Sequence, residues 1–354
     1  MSESFAVSVV IPVRNGMPDV VDAVASALAQ SRPPLEVIVL DDGSSDGTSD
    51  ALEARFGAGG GGAEIQLVRG VWGNAGAARN AGWQRARAPW VAFLDADDVW
   101  FGEKLASAET LIARHPAAGW FFSDGAFRTL EGELRTSWFA DWARVPDPYF
   151  GHPTAALLEV NFILTSSVMV RRELLAATGG FDPAMSHAED VDLWIRLARR
   201  APAVATARSL VRYQHRPGGL TRQVTARLEG NARLYERLAG DPELDPPLRA
   251  AAKRRAGLSR IKLARAALRE RDPVTARRHL ARAWGSGRAV AVAAAWGLTL
   301  LPAPVSAWLR ARPLVKGGLA ARALETRRVT LESERVPSPA DPAAGRTRLG
   351  ERVQ

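Results

Sequence analysis

The sequence predicts an α/β domain, a mostly parallel central sheet with helices on both faces, followed by a helical C-terminal extension. Three observations carry that prediction. Apolar runs of strand length alternate with amphipathic stretches over residues 5–94, the pattern of βαβ units. The runs are apolar throughout rather than alternating, so each strand is covered on both faces. From about Arg222 the alternation stops, and alanine and leucine recur at helical spacing.

Taken in order, Ala6–Val13 is the first strand. Pro18–Gln30 is a helix, with proline tolerated in a first turn that needs no N–H partner. Glu36–Leu40 is the next strand, and Asp41–Thr48 is its turn. There Gly43 and Gly47 permit positive φ, and Ser44, Ser45 and Thr48 are candidates to cap the following helix. Gly59–Gly62 is a flexible surface loop without a catalytic role. Ile65–Val68, the helix Ala75–Arg87 and the strand Trp90–Leu94 repeat the pattern. Trp120–Phe122 is a strand candidate, and Trp138–Phe150, with its prolines and aromatics, suits a lid or an acceptor wall.

Val191–Leu197 is a helix with a broad apolar face, and Glu189 and Asp190 stand at its N-terminus, where the helix dipole favours carboxylates. Lys253–Arg269 and Val274–Trp284, separated by Arg271–Pro273, form a helical hairpin. No period recurs, so a repeat array is not expected. Ala289–Leu309 is uncharged and long enough to span a bilayer, but it is alanine-rich and carries Pro302 and Pro304. A buried helix is the preferred reading over a span or a surface-lying segment. The tail from about Thr330 is expected to be disordered. The expected organisation is therefore a catalytic domain over 1–221, a helical region over 222–329 and a tail over 330–354.

With 47% hydrophobic and 24% charged residues, the chain has an ordinary globular composition. It has no cysteine, which excludes disulfides, zinc thiolates and thiol catalysis and leaves chemistry to carboxylates, histidines and hydroxyls. Charge is uneven: residues 1–249 carry a net −6 and residues 250–354 a net +15. That argues against nucleic acid as the substrate of the N-terminal domain. It suits the C-terminal part to acidic membrane lipids, phosphorylated acceptors or simply solvent. Met1–Phe5 does not open a basic and then apolar leader, so a cytoplasmic location is expected, with peripheral contact to an anionic membrane through the basic part.

Asp95-Ala96-Asp97-Asp98 follows directly on the strand ending at Leu94. Acids crowded at the end of a buried strand are costly unless cations or hydrogen bonds offset them. A divalent cation and a sugar nucleotide would supply both. Mg²⁺ or Mn²⁺ needs only one or two protein carboxylates when phosphates complete its shell. In such sheets ligands bind beyond the carboxyl ends of the strands, so Arg14–Gly16, Asp41–Gly43 and Asp95–Asp98 should gather on one rim. Asp42 is placed to accept from a ring N–H of a base. Gly73–Asn80 opens a helix whose Arg79 is placed to reach a diphosphate, although both the GK[ST] ending and the GxGxxG spacing are missing. Each block alone is accounted for by an ordinary turn, a capping acid pair or a solvated arginine. His215, within Tyr213–Gly219, is the histidine in a site-like context and ranks after the acids.

The order of the blocks is more specific than any one of them. Val9-Val-Ile-Pro-Val-Arg-Asn15, Asp41–Thr48, Ala78-Arg-Asn80, Phe93-Leu-Asp-Ala-Asp-Asp98 with Trp100, Gly179-Gly-Phe-Asp182 and Glu189-Asp-Val-Asp-Leu-Trp194 together resemble the motif series of family 2 inverting glycosyltransferases with the GT-A fold. The resemblance covers residues 6 to about 220. It implies a donor pocket that includes Pro12, Arg14 and Asp41, with Asp42 reading the nucleobase and Arg79 near the donor. It implies that Asp95 and Asp97 hold ribose and a Mn²⁺ or Mg²⁺ ion. Asp97 and Asp98 share the metal assignment, and His215 is a further candidate ligand. It implies Asp190 as general base, with Glu189 beside it, while the metal and Arg79 stabilise the departing diphosphate.

There are two departures: Arg14 stands where many relatives carry tyrosine, and no Gln-x-x-Arg-Trp follows Asp190. The expected reaction is thus a single addition from a nucleotide sugar, uridine-linked, to a hydroxyl of a glycan, a lipid-linked acceptor or a small molecule. A nucleotidyltransferase would carry a glycine- and lysine-rich loop where Arg14–Pro18 stands. A non-catalytic sugar-nucleotide or glycan-binding module would lack the acid at position 190.

Overall fold

The computed structural model describes residues 5–57, 62–128, 133–214, 223–287, 289–300 and 328–334. In chain order the N-terminal elements are β1 (Val7–Val13), α1 (Asp19–Leu28), β2 (Glu36–Asp42), α2 (Thr48–Phe56), β3 (Glu64–Gly70), α3 (Ala75–Trp83), β4 (Trp90–Phe93), β5 (Val99–Trp100) and α4 (Lys104–Arg114). Next come β6 (Trp120–Arg128), β7 (Leu134–Arg135), α5 (Phe139–Trp142), β8 (Ala143–Arg144), β9 (Tyr149–Gly151), α6 (Thr154–Glu159), β10 (Met169–Arg171), α7 (Arg172–Thr178), α8 (Glu189–Ala198) and β11 (Ala203–Tyr213). The last are α9 (Val224–Ala239), α10 (Pro246–Arg269), α11 (Pro273–Ala283), α12 (Ala289–Leu300) and β12 (Val329–Thr330).

The main sheet has the order β3-β2-β1-β4-β10-β6-β11-β5. Strands β1 to β4 pair in parallel, β10 runs against both β4 and β6, and β11 is again parallel to β6. Six strands therefore share one direction, as expected of a mostly parallel sheet; β10 opposes them within the sheet, and the short β5, β7 and β9 do so at its β6–β11 side. The reversal has a local cause. A 3-10 turn at Thr165–Ser167 brings the chain to the carboxyl rim of β4, from which β10 can only run back down the sheet.

Alternate residues of the inner strands feed two cores. Val10, Ile38 and Phe93 lie in one, and Val9, Ile11, Val37 and Val39 in the other. That is why these strands are apolar throughout. Helix α3 lies close on β1, where a Cβ at Gly82 would stand 2.4 Å from a methyl of Val10.

Several boundaries and elements differ from the sequence reading. Helix α3 ends at Trp83 rather than at Arg87, and α4 was not foreseen, although Leu105, Ala108 and Ile112 mark its buried face. Trp138–Phe150 is not a detached lid. It holds α5 and β8, and Phe139, Tyr149 and Phe150 are core residues. Helix α2 starts from Gly47 at φ 83, and its Thr48 N–H is taken by Asp46 rather than by a hydroxyl. An ionised carboxylate is the stronger acceptor there.

The hairpin of α10 and α11 forms as expected, with Asp272 capping α11 through Thr275 N at 2.9 Å. Val292 of α12 is buried in the same cluster as Leu268 and Leu280. Among the described residues no helix is long and apolar enough to cross a membrane. The remainder of the uncharged stretch, 301–309, lies outside them. The expected disordered tail begins with an ordered element. Val329 and Thr330 pair in parallel with Ala143 and Arg144, Leu331 is buried, and Glu334 accepts from His152 N at 3.1 Å. Backbone pairing orders a segment whose composition alone predicts none.

Candidate active site

β1 and β2 end side by side, with Val13 opposite Asp41, and the loops that follow are clasped together. Asn15 N donates to Ser44 Oγ at 2.8 Å, and Asn15 Oδ1 accepts from Ser45 N at 2.8 Å. Gly16 N donates to Thr48 Oγ1 at 2.9 Å and Met17 N to Asp46 Oδ2 at 3.0 Å. The polar residues of the Asp41–Thr48 turn therefore fix the β1 loop. Asp41 is buried and accepts from Ser44 N at 2.8 Å and from Ser49 Oγ. Asp42 accepts from the N–H groups of Trp72 and Gly73, pinning the approach to α3. Pro12 is buried within β1 opposite Leu40, and Arg14 is exposed. A cavity of about 280 Å³ opens beside Asp41, Ser44, Ser49 and Arg69.

The second acid turn, Asp95–Asp98, is divided in two. Asp98 is 1% exposed, and its carboxylate accepts from Ser166 Oγ at 2.5 Å and from Gln214 N at 3.0 Å. Burial, together with the charges of Asp95 and Asp97, holds its pKa well above the usual carboxylate range. Ser166 also accepts from Asp95 N at 3.0 Å, and its carbonyl takes the indole N–H of Trp100 at 2.7 Å. The 3-10 turn before β10 is thus the frame of the acid turn. Asp95 and Asp97 are only partly buried.

The third group is at the N-terminus of α8. Arg79, 5% exposed, donates from Nη2 to Asp95 at 2.7 Å and from Nη1 to Glu189 at 3.1 Å, and it lies over the Phe181 ring at 5.2 Å. Burial, and next the charge of Asp190, pushes the Glu189 carboxyl up to about 7 despite Arg79. Asp190 is partly buried and accepts from Val191 N at 2.7 Å and Asn161 Nδ2 at 3.3 Å, and burial raises its pKa as well. Ala188, immediately before the pair, is left-handed at φ 65, an unfavourable conformation for a residue with a Cβ. Behind the pair, buried Asp192 accepts from Arg196 on its own helix and from Arg237 of α9. Arg196 also donates to the carbonyls of Thr178 and Gly180. Asn80 of α3 closes the arrangement, donating to Phe181 O at 2.7 Å and accepting from Phe181 N at 2.9 Å.

The structure therefore brings Asp95, Arg79, Glu189 and Asp190 into one cluster and keeps Asp41 and Asp42 along the adjoining rim. His215 lies outside the described residues. Ser166, Asn161 and Arg237 escaped the sequence reading. The signal for the first two is a polar residue inside an apolar run, Val160–Val170, where burial obliges a partner. Among the described residues no three acids or histidines converge to hold a metal ion unaided. Partly buried Asp97 fits a hard cation whose shell is completed by phosphates and water. Both oxygens of Asp98 are already engaged within the protein.

Residues 8–178 match the family model described as glycosyl transferase family 2. A relative from Bacillus subtilis (strain 168), the putative teichuronic acid biosynthesis glycosyltransferase TuaG, is 42% identical over 101 residues, 28% of this chain and 38% of that protein. The chain thus spans well under half the length of this relative. Among solved structures, S. aureus TarS 1–349 in complex with UDP-GlcNAc superposes with a TM-score of 0.60 at 17% identity, over 90% of this chain and 89% of that one. The mannosyltransferase PcManGT from Pyrobaculum calidifontis, in complex with GDP-Man and Mn²⁺, gives 0.56 at 21% identity, over 91% and 86%. At these identities the structural matches speak for the fold.

Proposed function

We propose that this chain, whose residues 8–178 belong to glycosyl transferase family 2, moves one sugar from a nucleoside diphosphate sugar to an acceptor hydroxyl with inversion at the anomeric carbon. The observation that carries the reading is the Arg79 guanidinium, which joins the donor-side acid Asp95 to Glu189, next in sequence to Asp190. A candidate base and a candidate donor site are thereby held within the span of one side chain.

In this reading the donor lies along the carboxyl rim of β1, β2 and β4, with its base beside Asp42 and its ribose at Asp95. Asp190 takes the proton of the acceptor hydroxyl as that oxygen bonds to the anomeric carbon. The bond from that carbon to the β-phosphate oxygen breaks, and the nucleoside diphosphate leaves with the electron pair. Burial raises the proton affinity of Asp190, which suits a base near neutral pH. Asn161 and Val191 N–H fix the orientation of its carboxylate. Arg79 holds Glu189 away from the reacting oxygen and places positive charge near the departing diphosphate. Asp97 would hold Mn²⁺ or Mg²⁺, an ion that neutralises charge developing on the diphosphate. A uridine donor is supported by the UDP-GlcNAc complex of one neighbour, and a glycan or lipid-linked acceptor by the teichuronic acid role named for one relative.

The test is release of UDP from a panel of UDP-sugars with Mn²⁺, with the anomeric configuration of the product read by NMR. Asp190→Asn should keep UDP affinity and lower turnover by about 10²- to 10⁴-fold, the usual range for loss of a general base. Undiminished turnover in that variant would overturn the assignment.

A further inference from the structure

Residues 246–287 hold 12 Lys and Arg against 2 acids. Helix α11 separates its faces cleanly. Ala276, Leu280 and Ala283 are buried against α10 and α12, while Val274, Arg278 and Arg282 lie at i, i+4 and i+8 on the opposite side and are exposed. Arg269 and Arg271 stand exposed at the tip of the hairpin. Among the described residues no salt bridge engages Arg269, Arg271, Arg278 or Arg282. Two apolar side chains are exposed along the same helix: Val274, on this face, is 55% exposed, and Trp284, just past the end of α11, is 65% exposed.

We propose that this outward face of α11, with the hairpin tip and Trp284, docks on an anionic phospholipid surface. The inference goes beyond the transfer reaction and does not depend on it. Arginines in excess of the two acids of the hairpin, Glu270 and Asp272, meet acidic headgroups, and an indole with one apolar and one polar end settles at the headgroup level. Nucleic acid is the other polyanion such a face could meet. The lipid surface is favoured because Val274 and Trp284 stand exposed near the arginines and offer apolar groups that a headgroup region takes up and a phosphate backbone does not. The remaining domain is net acidic over 1–249, which restricts contact with any anionic surface to this end of the molecule.

The experiment uses the full chain and sedimentation with vesicles of phosphatidylcholine alone or with one-third phosphatidylglycerol. Binding is expected only to the anionic vesicles, and it should fall by at least about tenfold when salt is raised well above physiological strength. Arg271→Glu/Arg278→Glu/Arg282→Glu should weaken it by at least about tenfold, in line with the contribution expected of each basic side chain. Trp284→Ala should weaken it several-fold even at high salt. Circular dichroism and UDP release in solution should match the parent in both variants, which separates lost docking from lost fold. Equal binding to neutral vesicles, undiminished binding by the triple variant, or binding to a duplex RNA oligomer without binding to anionic vesicles would each overturn the proposal. Absence of UDP release from a chain that still binds the vesicles would overturn only the reaction.

Discussion

Two pairs of adjacent acids, Asp97–Asp98 and Glu189–Asp190, are built on a common plan with different partners. In each pair one carboxylate is turned into the protein and the other is left partly accessible. The inward member of the first pair, Asp98, is satisfied by neutral donors, a serine hydroxyl and a backbone N–H. The inward member of the second, Glu189, is ion-paired to Arg79, which also reaches Asp95. Burial raises the pKa of both inward carboxyls, with the charges of Asp95 and Asp97 adding to it at Asp98 and that of Asp190 at Glu189; the opposing force is two neutral hydrogen bonds at Asp98 and the Arg79 guanidinium at Glu189. The inward acids Asp98 and Glu189 form the frame, and in the proposed reaction the partly accessible Asp97 and Asp190 are the ones assigned to ligand and proton.

Replaceable outward acids would contradict this division of roles most severely. Asp190→Asn, with the turnover loss given above, carries the largest expected effect. Asp97→Ala should come next, abolishing the Mn²⁺ dependence of UDP affinity in calorimetry while leaving the melting temperature unchanged. Asp98→Ala should do the reverse. Leaving Ser166 and Gln214 N–H unpaired in the interior costs about 1–3 kcal/mol and lowers the melting temperature. Equal melting temperatures for the two alanine variants would erase the distinction between inward and outward acids.

A finer probe is pH. The Glu189 carboxyl rises from 4.5 to about 7 on folding, so between those values the folded protein binds more protons than the unfolded chain. Stability from this group is therefore fully present below about 4.5 and is lost as pH rises toward about 7. Glu189→Gln should flatten that part of the curve of melting temperature against pH. An unchanged slope would mean that Glu189 is not held as the geometry indicates. The smallest effect is expected from Arg237→Ala. Its side chain is 54% exposed, so its pair with Asp192 contributes on the order of 1 kcal/mol or less. Because Asp192 follows Asp190 on α8, turnover should fall a few-fold at constant donor KM.

Much of the frame was legible before the structure. The apolar strands, the glycine turns and the acids after β2 and β4 are local patterns. The helix behind Glu189 and Asp190 and the hairpin around Asp272 announce themselves by spacing. What escaped is non-local. The motif order marks Arg79 as a donor-side residue, but its pairing with Glu189 arises only when α3 is packed beside α8, 110 residues away. Ser166 is one serine of a pair until β10 reverses and sets it under Asp98. The order of Val329–Thr330 depends on an edge offered by β8, which composition does not encode.

The sequence by itself determined the α/β class, the rim on which the acids would gather and the motif order that residues 8–178 share with the glycosyl transferase family 2 model. These follow from periodicity and from motif order along the chain. Only the tertiary structure decided which carboxylate of each pair faces inward, and that Arg79 serves two acids at once. Those outcomes depend on burial and on contacts between distant segments, and a side chain acquires its partner and its proton affinity only when the chain closes around it.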